Sequence, residues 1–316
     1  MKFVKQTLAA GVIAAATFAL PAQADLITFD PTGTAGATGD IAGVALFDWA
    51  PGSALAVGVN SPTGITGSFT TYFQANLGTV QAPSTAALFT NGDGGNYFTA
   101  VAGFGETVLT CNNVGGFCTN ATFGLDTTNP TNFFDIFAVS GTADNLTGDG
   151  FTGTAILTGT VVSTGFSSNF ALSSTDPVPL DQSPNGNQWP GTNTVSGTGA
   201  SDITVMVTYA DPNYFPDLTA GSIITFSAFN TSQILPFKQV DPSQCMSDGT
   251  TDCAIPSLVG TFNGAPTVAG GGPDVLFQAD ANQSFTVARV PEPGTITLLG
   301  AGLIGLALLT RRQKKQ

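Results

Sequence analysis

Four cysteines, twenty-one carboxylates and no histidine bound the chemistry open to this 316-residue chain. Without imidazole, serine and cysteine triads lose their usual general base, and histidine-ligated metal sites are excluded. The cysteines form two close pairs, Cys111 with Cys118 and Cys245 with Cys253. Zinc sites set their paired ligands closer together than this, so the expected reading is two local disulfides that close the shortest loops, although four cysteines allow other connectivities. Paired carboxylates could hydrolyse glycosides, but the acids are scattered and identify no pair. Lys and Arg are nearly absent between the two ends of the chain, which leaves little to hold phosphate, nucleotide or carboxylate substrates. The chain is expected not to be an enzyme; a secreted glycan-acting hydrolase is the second alternative.

Two binding chemistries carry more weight. Asp93 with Asn91 and Asn96, and Asp144 and Asp149 with Asn145, place oxygen ligands in Gly-rich loops that suit calcium. Neither stretch matches an EF-hand loop, and turn hydrogen bonding is the commoner use of such residues, so no cofactor is assigned. Carbohydrate is the other option: Trp49, Tyr72, Tyr97, Trp189 and Tyr214 could stack on sugar rings. Trp189, in the polar loop 184–190, is the most suggestive, and a lectin-like body is the first alternative function.

The elements that must position these residues lie between two dissimilar ends. Lys2 and Lys5 precede an uncharged run to Leu20, then Pro21 and Ala22-Gln23-Ala24. A positive start, a short apolar core and an A-x-A site make residues 1–24 a secretory signal peptide for the Sec translocon, cleaved between Ala24 and Asp25. An exported chain meets an oxidising compartment, which agrees with disulfides.

The body, residues 25–290, carries twenty acids against Lys238 and Arg289, a net charge of −18 that excludes nucleic acid as a partner. Strong helix formers are scarce, and Glu106 is its only glutamate. Period-two alternation marks strands over 41–49, 68–75, 97–109, 133–140, 151–162, 201–209, 222–230 and 283–289, separated by Gly/Asn/Asp turns at 91–95, 147–150 and 270–273. The fold expected is all-β, a β-sandwich or jelly roll. Residues 173–201, with four prolines, read as a long loop or a lobe boundary.

At the C-terminus, Pro291-Glu292-Pro293 is followed by an uncharged span and then by Arg311, Arg312, Lys314 and Lys315. Residues 294–310 are expected to form one transmembrane helix, with the basic tail on the cytoplasmic side as a stop-transfer signal and the body outside. This segment, 291–316, resembles the PEP-CTERM sorting domain in its order of motif, small-residue-rich span and basic tail. The stretch Ala228–Ser243, with Asn230-Thr231-Ser232-Gln233 and Pro236-Phe237, is similar to flocculation-associated members of that family.

The resemblance implies that Pro291, Glu292 and Pro293 are read by a membrane-embedded exosortase, which cuts near them. It implies a protein of a Gram-negative bacterium, held briefly at the inner membrane and then passed to the cell surface or extracellular matrix. A structural or adhesive role in biofilm or floc, with exopolysaccharide as a partner, follows by the same resemblance.

Overall fold

The computed structural model describes residues 24–34, 39–59, 67–114, 117–174, 176, 178–180, 189–194, 196–230, 245–264 and 271–288. Its strands are β1 (Ile27–Phe29), β2 (Ile41–Val44), β3 (Leu46–Val57), β4 (Ser68–Gln81), β5 (Ala87–Thr90), β6 (Tyr97–Val114), β7 (Phe117–Leu125), β8 (Phe133–Val139) and β9 (Thr154–Leu172). They continue with β10 (Val178–Pro179), β11 (Asn193–Thr194), β12 (Gly197–Ala210), β13 (Ile223–Asn230), β14 (Cys245–Met246), β15 (Ile255–Pro256), β16 (Phe262–Asn263) and β17 (Val275–Thr286). One 3-10 turn, Asp93–Gly95, is the only helical element among the described residues.

The sheet closes on itself. Going round, β3 pairs with β4, β4 with β6, β9 with β12, β12 with β13, β13 with β17, and β17 returns to β3, every pair antiparallel. The place between β6 and β9 is shared. At one end β8 bridges them, pairing with Tyr97–Gly103 of β6 and with the start of β9. At the other end β7 does so, pairing with Glu106–Val114 of β6 and with Ser168–Ala171 of β9.

The result is an eight-strand up-and-down barrel, and it corrects the expected sandwich or jelly roll. Alternation says only that each strand has one buried face, which sandwich and barrel share. Closure depends on the β17–β3 register, which joins strands from opposite ends of the body and leaves no edge between them. A bulge at Trp49–Ser53 helps: β3 buries Phe47 and Trp49 before it and Ala54 and Ala56 after it, so the inward face changes from odd to even positions. Gly52 sits in this bulge because a Cβ there would collide with the Gln74 carbonyl oxygen. Ala50-Pro51-Gly52, expected to follow the end of a strand, instead lies within one.

The interior is layered. At the end where β3 begins and β17 finishes, Phe29, Phe47, Phe98 and Phe215 form an aromatic plug: Phe29 stands edge-to-face to Phe47 at 4.9 Å and to Phe98 at 5.2 Å, and tilted against Phe215 at 5.2 Å. In the middle, Phe226 meets Phe73 and Phe134 at 5.1 and 5.4 Å, and the Trp49 indole N–H donates to Gln283 Oε1 at 3.2 Å. Residues 178–180, 189–194 and 245–264 pack on the outer face of β3 and β17, where Leu180, Met246 and Val259 bury against Leu55 and Leu276. The strands before and after 173–201, β9 and β12, are direct neighbours in the barrel.

No helix among the described residues is long and apolar enough to cross a membrane. The signal helix and the span 294–310 lie outside the described residues, as do Ala22, Pro291, Glu292, Pro293 and the four basic residues of the tail.

Candidate functional site

The end of the barrel opposite the plug is hollow, and the side chains explain why. Where the plugged end turns phenylalanines inward, this end turns Ala54, Ala56, Ser168, Ser201, Ala228 and Ala279 inward. Eight-strand barrels have an interior just wide enough to be filled by side chains or to hold one small ligand, so small residues at successive inward positions leave room. The cavity measures about 120 Å³ and is walled by Phe69, Phe104, Phe123, Ile203 and Phe277, with Phe73 and Phe226 below.

One carboxyl group faces this apolar space. Glu106, on β6, is 4 % exposed. Its Oε2 accepts a hydrogen bond from the Thr71 hydroxyl, and its Oε1 has no hydrogen-bond partner. Burial pushes its pKa up, an effect partly offset by the hydroxyls of Thr71 and then Ser168. Ser168 and Ser201 hydroxyls lie 3.1 Å apart across the β9–β12 pair. Every Lys and Arg of the chain lies outside the described residues, so none of the described residues supplies Glu106 with a cationic partner.

Glu106 is a candidate site residue that the motifs of the sequence do not single out. The signal was present: Phe98, Ala100, Ala102, Phe104 and Glu106 share one face of β6 at period two, so a strand over 97–109 places the body's only glutamate among core residues. A buried carboxyl with one oxygen left unpaired is costly, which makes its placement informative.

The residues singled out from sequence are distributed elsewhere. Cys111 is bonded to Cys118 across the β6–β7 hairpin, and Cys245 to Cys253 beside β14 and β15, the local pairing expected. Ala24 is exposed, and Asp25 begins the fold: its N–H donates to the Phe285 carbonyl at 2.8 Å, and its carboxylate accepts from Val287 N–H at 2.9 Å. Three of the loop residues proposed for calcium are engaged in turns, while Asn145 Oδ1 is buried without a hydrogen-bond partner. Asp93 accepts from Thr90 N–H, Asn91 from Phe98 N–H and Asp144 from Leu146 N–H. No group of three or more acidic or cysteine side chains suited to a metal occurs among the described residues.

Of the five sugar-stacking candidates, Tyr97 is partly exposed at the start of β6 and the other four are packed against the body. Trp49 is fully buried inside the barrel, Trp189 and Tyr72 are half-buried against the outer cluster around Leu55, and Tyr214 packs edge-to-face on Phe98.

Fold and cavity together define a closed antiparallel barrel with a carboxyl group in the wall of an apolar chamber. Residues 289–312 match the PEP-CTERM protein-sorting motif, and the chain is a PEP-CTERM domain-containing protein. The motif implies exosortase processing, export, and sorting to the cell envelope or surface of a Gram-negative bacterium. No curated protein and no solved structure matches this chain.

Proposed function

We propose that this sorted extracellular protein is a non-enzymatic binding barrel that holds a small, mainly apolar molecule at the cell surface or in the extracellular matrix. The observation that carries the reading is the hollow left by six small inward residues in a barrel otherwise packed with aromatic rings. Hydrolysis by paired carboxylates is disfavoured because, among the described residues, Glu106 is the only carboxylate lining the hollow. The matrix setting rests on the family resemblance, and the cavity gives the body a task there beyond bulk structure or adhesion.

The termini orient it. Asp25 and the end of β17 meet at the plugged end, and the sorting motif begins directly after β17. Until the exosortase cuts, the plugged end therefore faces the membrane and the hollow end faces outward.

Saturating toluene is expected to raise the melting temperature of the mature protein by about 2–4 °C, as a ligand that binds only the folded state must. Ala228→Leu, which fills the hollow, should remove that shift, and a wild-type protein insensitive to toluene overturns the reading. Sorting is checked separately by intact mass. With the exosortase gene present, everything beyond the Pro291 region should be missing; in its absence the tail should persist. An uncut tail in both strains would make the segment a plain membrane anchor.

A further inference from the structure

A closed apolar chamber does not by itself need a carboxyl group, and the placement of Glu106 is therefore informative about what enters. Glu106 lines the hollow; its Oε2 is already held by Thr71, while its buried Oε1 has no hydrogen-bond partner among the described residues. The Ser168 and Ser201 hydroxyls lie 3.1 Å apart, and beside Thr71 only Ser168 adds a further hydroxyl that eases the burial of this carboxyl. The unmet need in the chamber is thus for a hydrogen-bond donor, and the strongest donor to a carboxylate is a cationic one.

We propose that the chamber binds a small apolar amine, whose ammonium group donates to Glu106 Oε1 while its hydrocarbon body lies against Phe69, Phe104 and Phe123. The inference rests on the reading of the body as a ligand-holding barrel and names the ligand class.

Three further observations favour an organic cation. A metal ion would find one carboxylate and few other oxygens here, since the remaining wall is mainly aromatic and aliphatic. Aromatic faces attract ammonium groups as well as hydrocarbon, and Phe69 and Phe123 stand edge-to-face at 5.2 Å along the wall. The body's charge of −18 draws cations toward the barrel and repels anionic amphiphiles such as fatty acids. Size sets the upper bound: a hollow of about 120 Å³ is on the scale of apolar cavities of about 150 Å³ that take up benzene. One ring or a short branched chain fits, with a single amine.

Calorimetric titration of the mature protein at neutral pH with benzylamine, benzyl alcohol and toluene tests this. These probes share a ring and differ in the head. Benzylamine is expected to bind at least about tenfold more tightly than benzyl alcohol, the difference expected of a charge-assisted hydrogen bond over a neutral one. Glu106→Gln keeps the shape and an acceptor oxygen but removes the charge, so it should bring benzylamine to the level of benzyl alcohol and leave benzyl alcohol unchanged. Equal affinity for the two in the wild type overturns the amine assignment while the ligand-holding barrel stands. Failure of all three probes to bind overturns both. The wild-type comparison decides the matter even where Glu106→Gln does not fold.

Discussion

The folded body is expected to lose stability as the pH rises from 4 to 8, against the usual acid lability of proteins. The main cause is Asp135 on β8. Burial raises its pKa from 3.8 to about 7. It sits beneath Gly249, where a Cβ would come 3.2 Å from Asp135 Oδ2 and 3.0 Å from the Phe133 ring. Between the unfolded and folded values the native state holds a proton that the unfolded chain has released, so unfolding releases protons and stability falls with pH. The contribution is fully present below about pH 4 and gone above about pH 7. Glu106 acts with the same sign, because burial raises its pKa too.

Asp135→Asn removes the titration while keeping the shape. It should leave the protein nearly unchanged at pH 4 and stabilise it by up to about 4 kcal/mol at pH 8, the equivalent of a shift from 3.8 to about 7. Urea unfolding followed by circular dichroism at several pH values measures this. Repulsion among the surface acids gives a slope of the same sign, but salt screens it, whereas salt does little to a buried carboxyl. A wild-type stability that is flat or rising between pH 4 and 7 at high salt, or an Asp135→Asn variant with the wild-type slope, overturns the assignment.

Asp135 also marks where reading the sequence stops. Alternation on β8 places Phe134 and Ile136 inward and Asp135 outward, and an outward aspartate reads as solvated. What desolvates it is the 247–250 loop, separated by more than a hundred residues and held beside β14 by the Cys245–Cys253 bond. The same limit explains the mistaken sandwich. Every strand predicted by period two is present, most of them longer than expected, yet no local pattern states that β17 returns to pair with β3.

Bulges conceal the rest. Ile203, Val205 and Val207 line the barrel interior as their spacing implies, but a register shift at Val207–Tyr209 turns Tyr209 out to 47 % exposure. β7 was unmarked because Cys-Thr-Asn-Ala-Thr interrupts any apolar rhythm, although Ala121 and Phe123 bury as a period-two pair. The cavity was the least legible feature. Alanine and serine at inward positions look like low-propensity filler until eight strands bring them to one level.

Phe29→Ala is expected to have the largest effect of any single core substitution at the plugged end, about 3–5 kcal/mol. Phe29 is fully buried and touches the rings of Phe47, Phe89, Phe98 and Phe215, each contributed by a different part of the chain. It is carried by the three-residue β1, which pairs only with β2 and stands outside the barrel wall. Few backbone bonds therefore compensate when the ring is lost, and its neighbours cannot collapse inward without leaving the strands that hold them. The hydrogen bonds of Asp25 to Phe285 and Val287, and of Thr28 N–H to Asp217, tie the same segment to the barrel end. Loss of the ring should therefore loosen the whole 25–34 segment. Amide hydrogen exchange on the mature variant should show 25–34 losing protection together with Phe215–Leu218, while β4, β6 and β12 keep theirs until global unfolding. Since the plug and the hollow occupy opposite ends, toluene binding should survive in whatever fraction remains folded. A variant that loses less than about 1 kcal/mol, or loses toluene binding while still folded, would mean that the N-terminal segment is not the structural stopper of the barrel.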